Sequence, residues 1–323
     1  AWSVPRERVP HSTSMASDLM SEKANHRITE SAHQRSEPRI LLAHGSGGEL
    51  SRELIRDVFA RAFDNPLLNA MGDSAVLGEL PPGRVALTTD SYVVQPLFFP
   101  GGDIGELAVC GTVNDLAVMG ARPLYLTAGF ILEEGLPVDD LGRVVASMAA
   151  MARSAGVQIV TGDTKVVDRG AADGLFINTA GVGVIPPGID LGSHRLQPGD
   201  AILVNGTIGD HGLAVMIQRE GLAFGSTLES DTAPLNGLIE ALLAALPGRV
   251  HWMRDATRGG VATVLNEWVE AADVGIALTE AQIPVREEVR AACEFLGLDP
   301  LYAANEGKVI VAVDGASAEA ALA

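Results

Sequence analysis

Between Ile40 and Val313, short β-branched apolar runs alternate with amphipathic helical stretches, and the alternation breaks once, at Pro186-Pro187-Gly188. Apolar runs of period two must bury a sheet face, and an amphipathic helix must bury its stripe against such a face. Few architectures satisfy both demands, and the class is α/β or α+β. Strands are expected at Val85–Val94, Leu124–Leu132, Val157–Val160, Leu175–Ile185, Ala201–Asn205, Gly275–Thr279 and Lys308–Val313. Helices are expected at Leu50–Ala62, Ile104–Met119, Val138–Ala155, Asp210–Glu220, Leu235–Leu246, Arg258–Ala272 and Val285–Leu296. A chain of 323 residues exceeds what one hydrophobic core sustains. The Pro-Pro-Gly break therefore marks the boundary between an N-terminal domain, 39–188, and a C-terminal domain, 189–323. Residues 1–38 are rich in Ser and balanced in charge, and no apolar period runs through them; they read as a disordered leader.

Charge and composition exclude several function classes. The net charge is −18, and the excess acid lies entirely beyond residue 38. An acidic surface argues against nucleic acid as a partner. No apolar run approaches the ~18 residues of a membrane span. Two cysteines, Cys110 and Cys293, cannot build a disulfide framework or a cysteine zinc site, and both read as buried small hydrophobes. No signal-peptide core precedes residue 12, so the expected setting is cytoplasmic and reducing. Twenty of the 23 basic residues are Arg, yet Lys165 and Lys308 stand in Thr-Gly-Asp-Thr-Lys and Asn-Glu-Gly-Lys. An ammonium is a compact, tunable charge, which a guanidinium is not.

The P-loop, the dinucleotide fingerprint and the nucleophile elbow are all absent. What stands out is a series of aspartates expected at strand ends beside small residues: Asp73, Asp90, Asp115, Asp163 and Asp255. Each alone is equally a helix cap or a turn residue. As a set they suit magnesium and phosphate, because Mg²⁺ takes one or two carboxylates and completes its shell with phosphate oxygens. Gly45-Ser-Gly-Gly48 opens a helix and can cradle phosphate, with His44 beside it as ligand, donor or plain turn residue. In Gly206-Thr-Ile-Gly-Asp-His-Gly212, Asp210 reads as a helix cap.

Six segments carry a resemblance: Ala43-His-Gly-Ser-Gly-Gly48, Thr89-Asp-Ser-Tyr-Val-Val94, Pro96-Leu-Phe-Phe-Pro-Gly-Gly102, Thr161-Gly-Asp-Thr-Lys-Val-Val167, Asp255-Ala-Thr-Arg-Gly-Gly260 and Ala304-Asn-Glu-Gly-Lys308. In order and without large gaps, they resemble the HypE family of hydrogenase maturation proteins. That family sits in the superfamily of aminoimidazole ribonucleotide synthetase, selenophosphate synthetase and thiamine-phosphate kinase. The resemblance implies a two-domain synthetase-like fold. Its N-terminal α/β domain would bind ATP and join a partner's sheet in a homodimer barrel, followed by an α+β domain. It implies ATP-dependent dehydration of an S-carbamoyl group to a thiocyanate, for the cyanide ligands of [NiFe]-hydrogenase. HypF would be the carbamoyl donor and the HypC–HypD complex the cyanide acceptor.

Carried over by motif, Asp73, Asp90, Asp115, Asp163 and Asp255 would hold Mg²⁺. His44, Gly45, Gly47, Gly48, Asp90, Asn114, Asp163 and Thr164 would bind ATP. Lys165 would sit at the carboxamide, with Glu306 as its deprotonating partner. The family's terminal cysteine has no counterpart before Ala323, and neither Cys110 nor Cys293 matches it. The expectation is a C-terminal domain shorter than the family's, in a chain that binds ATP without the carbamoyl-bearing thiol. Two other readings stay open: an ATP-binding assembly partner without catalysis, and another synthetase or kinase of the superfamily.

Overall fold

The computed structural model describes residues 37–222 and 228–323; the leader expected at 1–38 lies almost wholly outside them. Residues 39–323 pack as one body built on two main sheets. The first sheet has four strands. In chain order they are β1 (Arg84–Tyr92), then β4 (Arg122–Glu133), β5 (Gln158–Val167) and β6 (Leu175–Ile185). A two-residue ladder, β2 (Phe98–Phe99) with β3 (Gly102–Asp103), lies apart between β1 and β4. The spatial order is β1-β6-β4-β5, parallel only between β4 and β5. The second sheet is antiparallel, in the order β7 (Ala201–Val204), β9 (Val309–Val313), β8 (Val250–Asp255).

One helix organises the whole. Ile104–Val118 is apolar on every side, so it must be covered on every side. It packs against β1, β6 and the Val138–Ala155 helix on one flank, and against Asn236–Ala245 and β8 on the other. Asp103 starts it, accepting the N–H groups of Gly105 at 2.7 Å and Glu106 at 3.1 Å. Gly120 ends it at φ +75°, where a Cβ would meet Ile189 Cγ2 at 2.6 Å.

Four expectations need correction. Gly275–Thr279 is not a strand: among the described residues no strand pairs with it, and Ile276 packs on the Trp268 cluster instead. The aspartates are not all at strand ends, since Asp115 lies on the central helix, Asp73 in a loop, and Asp163 inside β5. The stretch expected to turn after Val160 stays in the ladder because Gly162 lets β4 approach, and a Cβ there would lie 2.2 Å from the Ala128 carbonyl oxygen. Asp210 is not a cap either. It is the first residue inside Asp210–Arg219, after Gly209 at φ +83°, and its buried carboxylate accepts the Thr207 hydroxyl and stands 3.3 Å from Arg286 Nε.

Candidate active site

Because the central helix touches both sheets, it delivers Asn114 and Asp115 to the seam between them. There β1 presents Thr88 and Asp90, β8 ends at Asp255, and the Ala304–Lys308 turn brings in Glu306. Thr88 Oγ1 donates to Asp115 at 2.8 Å. Asp90 accepts the Ser91 N–H at 2.7 Å and faces Arg258 Nη2 at 3.9 Å.

These acids feel one another. Burial first, then the charges of Asp115 and Asp90, push Asp255 up to about 6. Burial also raises Asp115, although the Thr88 hydrogen bond opposes the shift. Glu306 is raised well above the carboxylate range, by burial and then by Asp255, Asp231 and Asp90, while Arg258 favours its ionised form. Three carboxyl groups with raised proton affinity in one seam mark a site built to receive positive charge or a proton.

Asp231 holds the turn that carries Glu306, and nothing in the sequence singled it out, because it follows no apolar run. It accepts the Glu306 N–H at 3.1 Å and the Lys308 ammonium at 2.8 Å, with both side chains buried. Lys308 therefore does not pair with Glu306. Gly307 is required here, since a Cβ would sit 1.9 Å from the Asp231 carbonyl oxygen. Asn305 ties the turn to the Gly206–Gly212 loop, accepting the Gly209 N–H at 2.8 Å and donating to the Ala256 carbonyl at 2.9 Å. Asn114, expected to bind nucleotide, has both amide N–H groups and one lone pair of its oxygen in hydrogen bonds. It donates to the Ala233 and Glu306 carbonyls at 3.1 and 3.2 Å and accepts the Leu235 N–H at 2.7 Å.

His211, also missed, is buried with its Nε2 4.0 Å from Glu306 Oε1. Burial pushes its pKa down from 6.5 to about 4. Between those values the unfolded chain binds a proton that the fold refuses. The stability from this ring is therefore complete above pH 6.5 and is lost as pH falls toward 4, by up to about 3 kcal/mol. The difference in unfolding free energy between wild type and His211→Gln, followed from pH 7 to 4, should show that loss; a flat difference would contradict it.

The remaining expected residues lie elsewhere. Along the sheet, Asp90, Thr179, Ala128 and Gly162 are cross-strand partners on the helix-covered face. Ser91, Asn178, Gly129 and Asp163 form the next row and so face the opposite way. Lys165 shares that open face, 68% exposed and 3.5 Å from Asp163. The sheet thus stands between Lys165 and Glu306, and the structure does not bring them together. Thr164 sits between the two, lining with them the mouth of a cavity of about 320 Å³ that also takes in His44, Gly45 and Gly47. The glycine loop is partly closed on itself. His44 Nδ1 accepts the Leu41 N–H at 2.8 Å, so the ring serves its own turn, and Ser51 Oγ takes the Gly47 N–H at 3.0 Å. Gly47 and Gly48 face open space. Asp73 is exposed on the 71–83 segment.

Among the described residues, no three carboxylate, imidazole or thiolate groups converge as a ready-made metal centre. The seam nonetheless fits magnesium. Its donors are hard oxygens, and the charge of Asp90 raises the proton affinity of Asp115 while the charges of both raise that of Asp255, a cost a divalent cation would relieve.

The sequence matches the AIR synthase related protein N-terminal domain over 71–185 and the corresponding C-terminal domain over 197–323. Carbamoyl dehydratase HypE of Azotobacter vinelandii is 57% identical over 280 residues, covering 87% of this chain and 82% of that protein. The Escherichia coli K12 carbamoyl dehydratase HypE is 54% identical over 288 residues, covering 88% and 85%. A crystal structure of hydrogenase maturation protein HypE in complex with ATP superposes with a TM-score of 0.84 at 55% identity, covering 87% of this chain and 83% of that one. The HypE chain of a HypE–HypF complex gives 0.72 at 56% identity, covering 83% and 87%.

Proposed function

The chain belongs to the AIR synthase related family and, within it, to the HypE carbamoyl dehydratases, and from that membership we propose that it dehydrates an S-carbamoyl group at the expense of ATP. The observation that carries the reading is the buried seam in which the charges of Asp255 and Asp90 act on a Glu306 of raised proton affinity, with Asp115 acting on Asp255 in turn. An amide oxygen is a poor leaving group. Transfer of the ATP γ-phosphoryl group to it makes an imidate phosphate, and loss of phosphate with the remaining N–H proton leaves the thiocyanate. Both N–H protons must be removed. Glu306 is the base, since a carboxylate of raised proton affinity takes a proton more readily than an ordinary one. Arg258 opposes that rise in part, favouring the ionised form a base needs. Asp90, Asp115 and Asp255 would hold Mg²⁺, which when bound neutralises phosphate charge.

The carbamoyl-bearing thiol is neither Cys110 nor Cys293. Both are buried, and burial raises both thiols. The relatives' HypE–HypF complex supports HypF as the carbamoyl donor, and the same chemistry needs a cyanide acceptor, for which HypC–HypD is the candidate. The two reduced thiols suit a cytoplasmic setting; among the described residues no helix is long and apolar enough to cross a membrane. We also propose a homodimer. Its support is β1, a sheet edge with Val85 62% and Leu87 74% exposed. Sedimentation equilibrium giving the mass of one chain would remove it. Lys165 and Asp163 can reach a carboxamide only across such an interface, because within one chain the sheet separates them from Glu306.

The test is calorimetry of Mg-ATP binding. Wild type should bind, and the Asp90→Asn/Asp255→Asn pair should bind on the order of 100-fold more weakly, the loss of two charge-assisted contacts. A folded wild type that does not bind Mg-ATP would overturn the assignment of the seam.

A further inference from the structure

The Gly206–Gly212 loop takes no part in the scheme above, yet it places a histidine beside the proposed base. Gly209 at φ +83° starts the helix Asp210–Arg219, and His211 is the second residue in it. The ring is held from three sides. Its Nδ1 lies 2.8 Å from Ser230 Oγ. The edge of Phe99 meets it at 90° with centroids 5.5 Å apart. Its Nε2 points to Glu306 Oε1 at 4.0 Å.

Ser230 is itself fixed. Its backbone N–H donates to the Pro100 carbonyl at 2.8 Å. Its Oγ accepts the Thr232 N–H at 3.1 Å and lies 2.7 Å from Thr232 Oγ1. If the Thr232 hydroxyl donates to Ser230 and the Ser230 hydroxyl donates to His211 Nδ1, every group in the chain is satisfied. The ring proton then sits on Nε2, facing Glu306, whose carboxyl oxygens can accept it. The turn backbone of Glu306 is pinned separately, by Asn114 and Asp231. What these bonds leave unset is the direction of the carboxylate.

We propose that His211, as its Nε2–H tautomer, is a positioning residue that holds Glu306 Oε1 and so aims the other carboxylate oxygen at the substrate N–H. The inference rests on Glu306 being the base. A separation of 4.0 Å is longer than a hydrogen bond, as is common before substrate closes a site. The relay from Thr232 through Ser230 to His211 explains why a helix begins with a buried histidine when an apolar residue would pack there at less cost.

Long-range ¹⁵N–¹H correlation spectra of the histidine rings test this directly. The expected result at neutral pH is a neutral His211 protonated on Nε2, with ring resonances that move in Glu306→Gln. An Nδ1–H tautomer, or resonances indifferent to Glu306→Gln, would overturn the proposal. Turnover in the full-length gene product with HypF supplies the second reading. His211→Leu should lower kcat roughly 10- to 100-fold, part of what a general base contributes, and leave the KM for ATP within about twofold, while His211→Gln, which keeps a donor near Nε2, recovers most of it. If Glu306→Gln retains full kcat, the base assignment fails. If Glu306→Gln is inactive and His211→Leu retains full kcat, only the positioning role fails.

Discussion

Asp231→Ala should destabilise the fold by about 3–5 kcal/mol, the cost of leaving one member of a buried ion pair without its partner. The Lys308 ammonium lies 2.8 Å from Asp231 Oδ2, and the two side chains are only 10% and 5% exposed. Removing the carboxylate strands a charge and frees the N–H groups of Glu306 and Gly307 together. Denaturant unfolding measures the loss. Because the same turn aims Glu306, turnover should fail in whatever fraction remains folded. Adding Lys308→Met to Asp231→Ala removes the stranded charge and should recover a large part of the stability, since an apolar pair of similar volume often replaces a buried ion pair at little cost. A loss below about 1 kcal/mol in the single variant, typical of an exposed pair, would show that the pair does not hold the turn.

Trp268→Ala should cost a similar amount, about 3–5 kcal/mol, for the cavity it leaves. Trp268 is fully buried and stacks on Trp252 with centroids 5.2 Å apart and planes 17° apart. Trp252 belongs to β8, whose last residue is Asp255, so this stack joins the Gly260–Ala271 helix to the strand that delivers a seam carboxylate. Trp268→Phe should cost much less, because among the described residues the indole N–H has no hydrogen-bond partner to lose. Urea midpoints of the two variants check this. Equal losses would mean that Nε1 is bonded after all, and a negligible loss in Trp268→Ala would mean that the second sheet does not depend on this core.

Much of the fold was legible in the sequence, because it depends on local pattern. Val138–Ala155 and Leu175–Ile185 form over the very residues whose periodicity announces them. The central helix was legible as a helix; that its surface is apolar all round and buried on both flanks is what the structure added. The misreadings have one physical source. Gly275–Thr279 has strand composition but, among the described residues, no strand to pair with, and a strand is a property of two segments. Gly162-Asp163-Thr164 looks like a turn because glycine suits turns, but here glycine lets β4 and β5 come close.

For the candidate site, residue types were readable and positions were not. The acids of the seam, Asp90, Asp115, Asp255 and Glu306, were marked by motif, as were Asp73, Asp163 and Lys165, which lie elsewhere. Whether a strand residue faces the seam or the open side depends on the register of β1 against β6 and of β4 against β5, and a shift of one residue reverses it. Asp231 and His211 carry no local signature, since each acquires its partner across 75 to 95 residues of chain. By itself the sequence determined the class, the helices, most strands and the chemistry its acids can perform, because period, capping and ionisation are properties of neighbouring residues. Only the tertiary structure decided which acids share a site, because burial and charge coupling arise between segments that meet only when the two sheets close on the central helix.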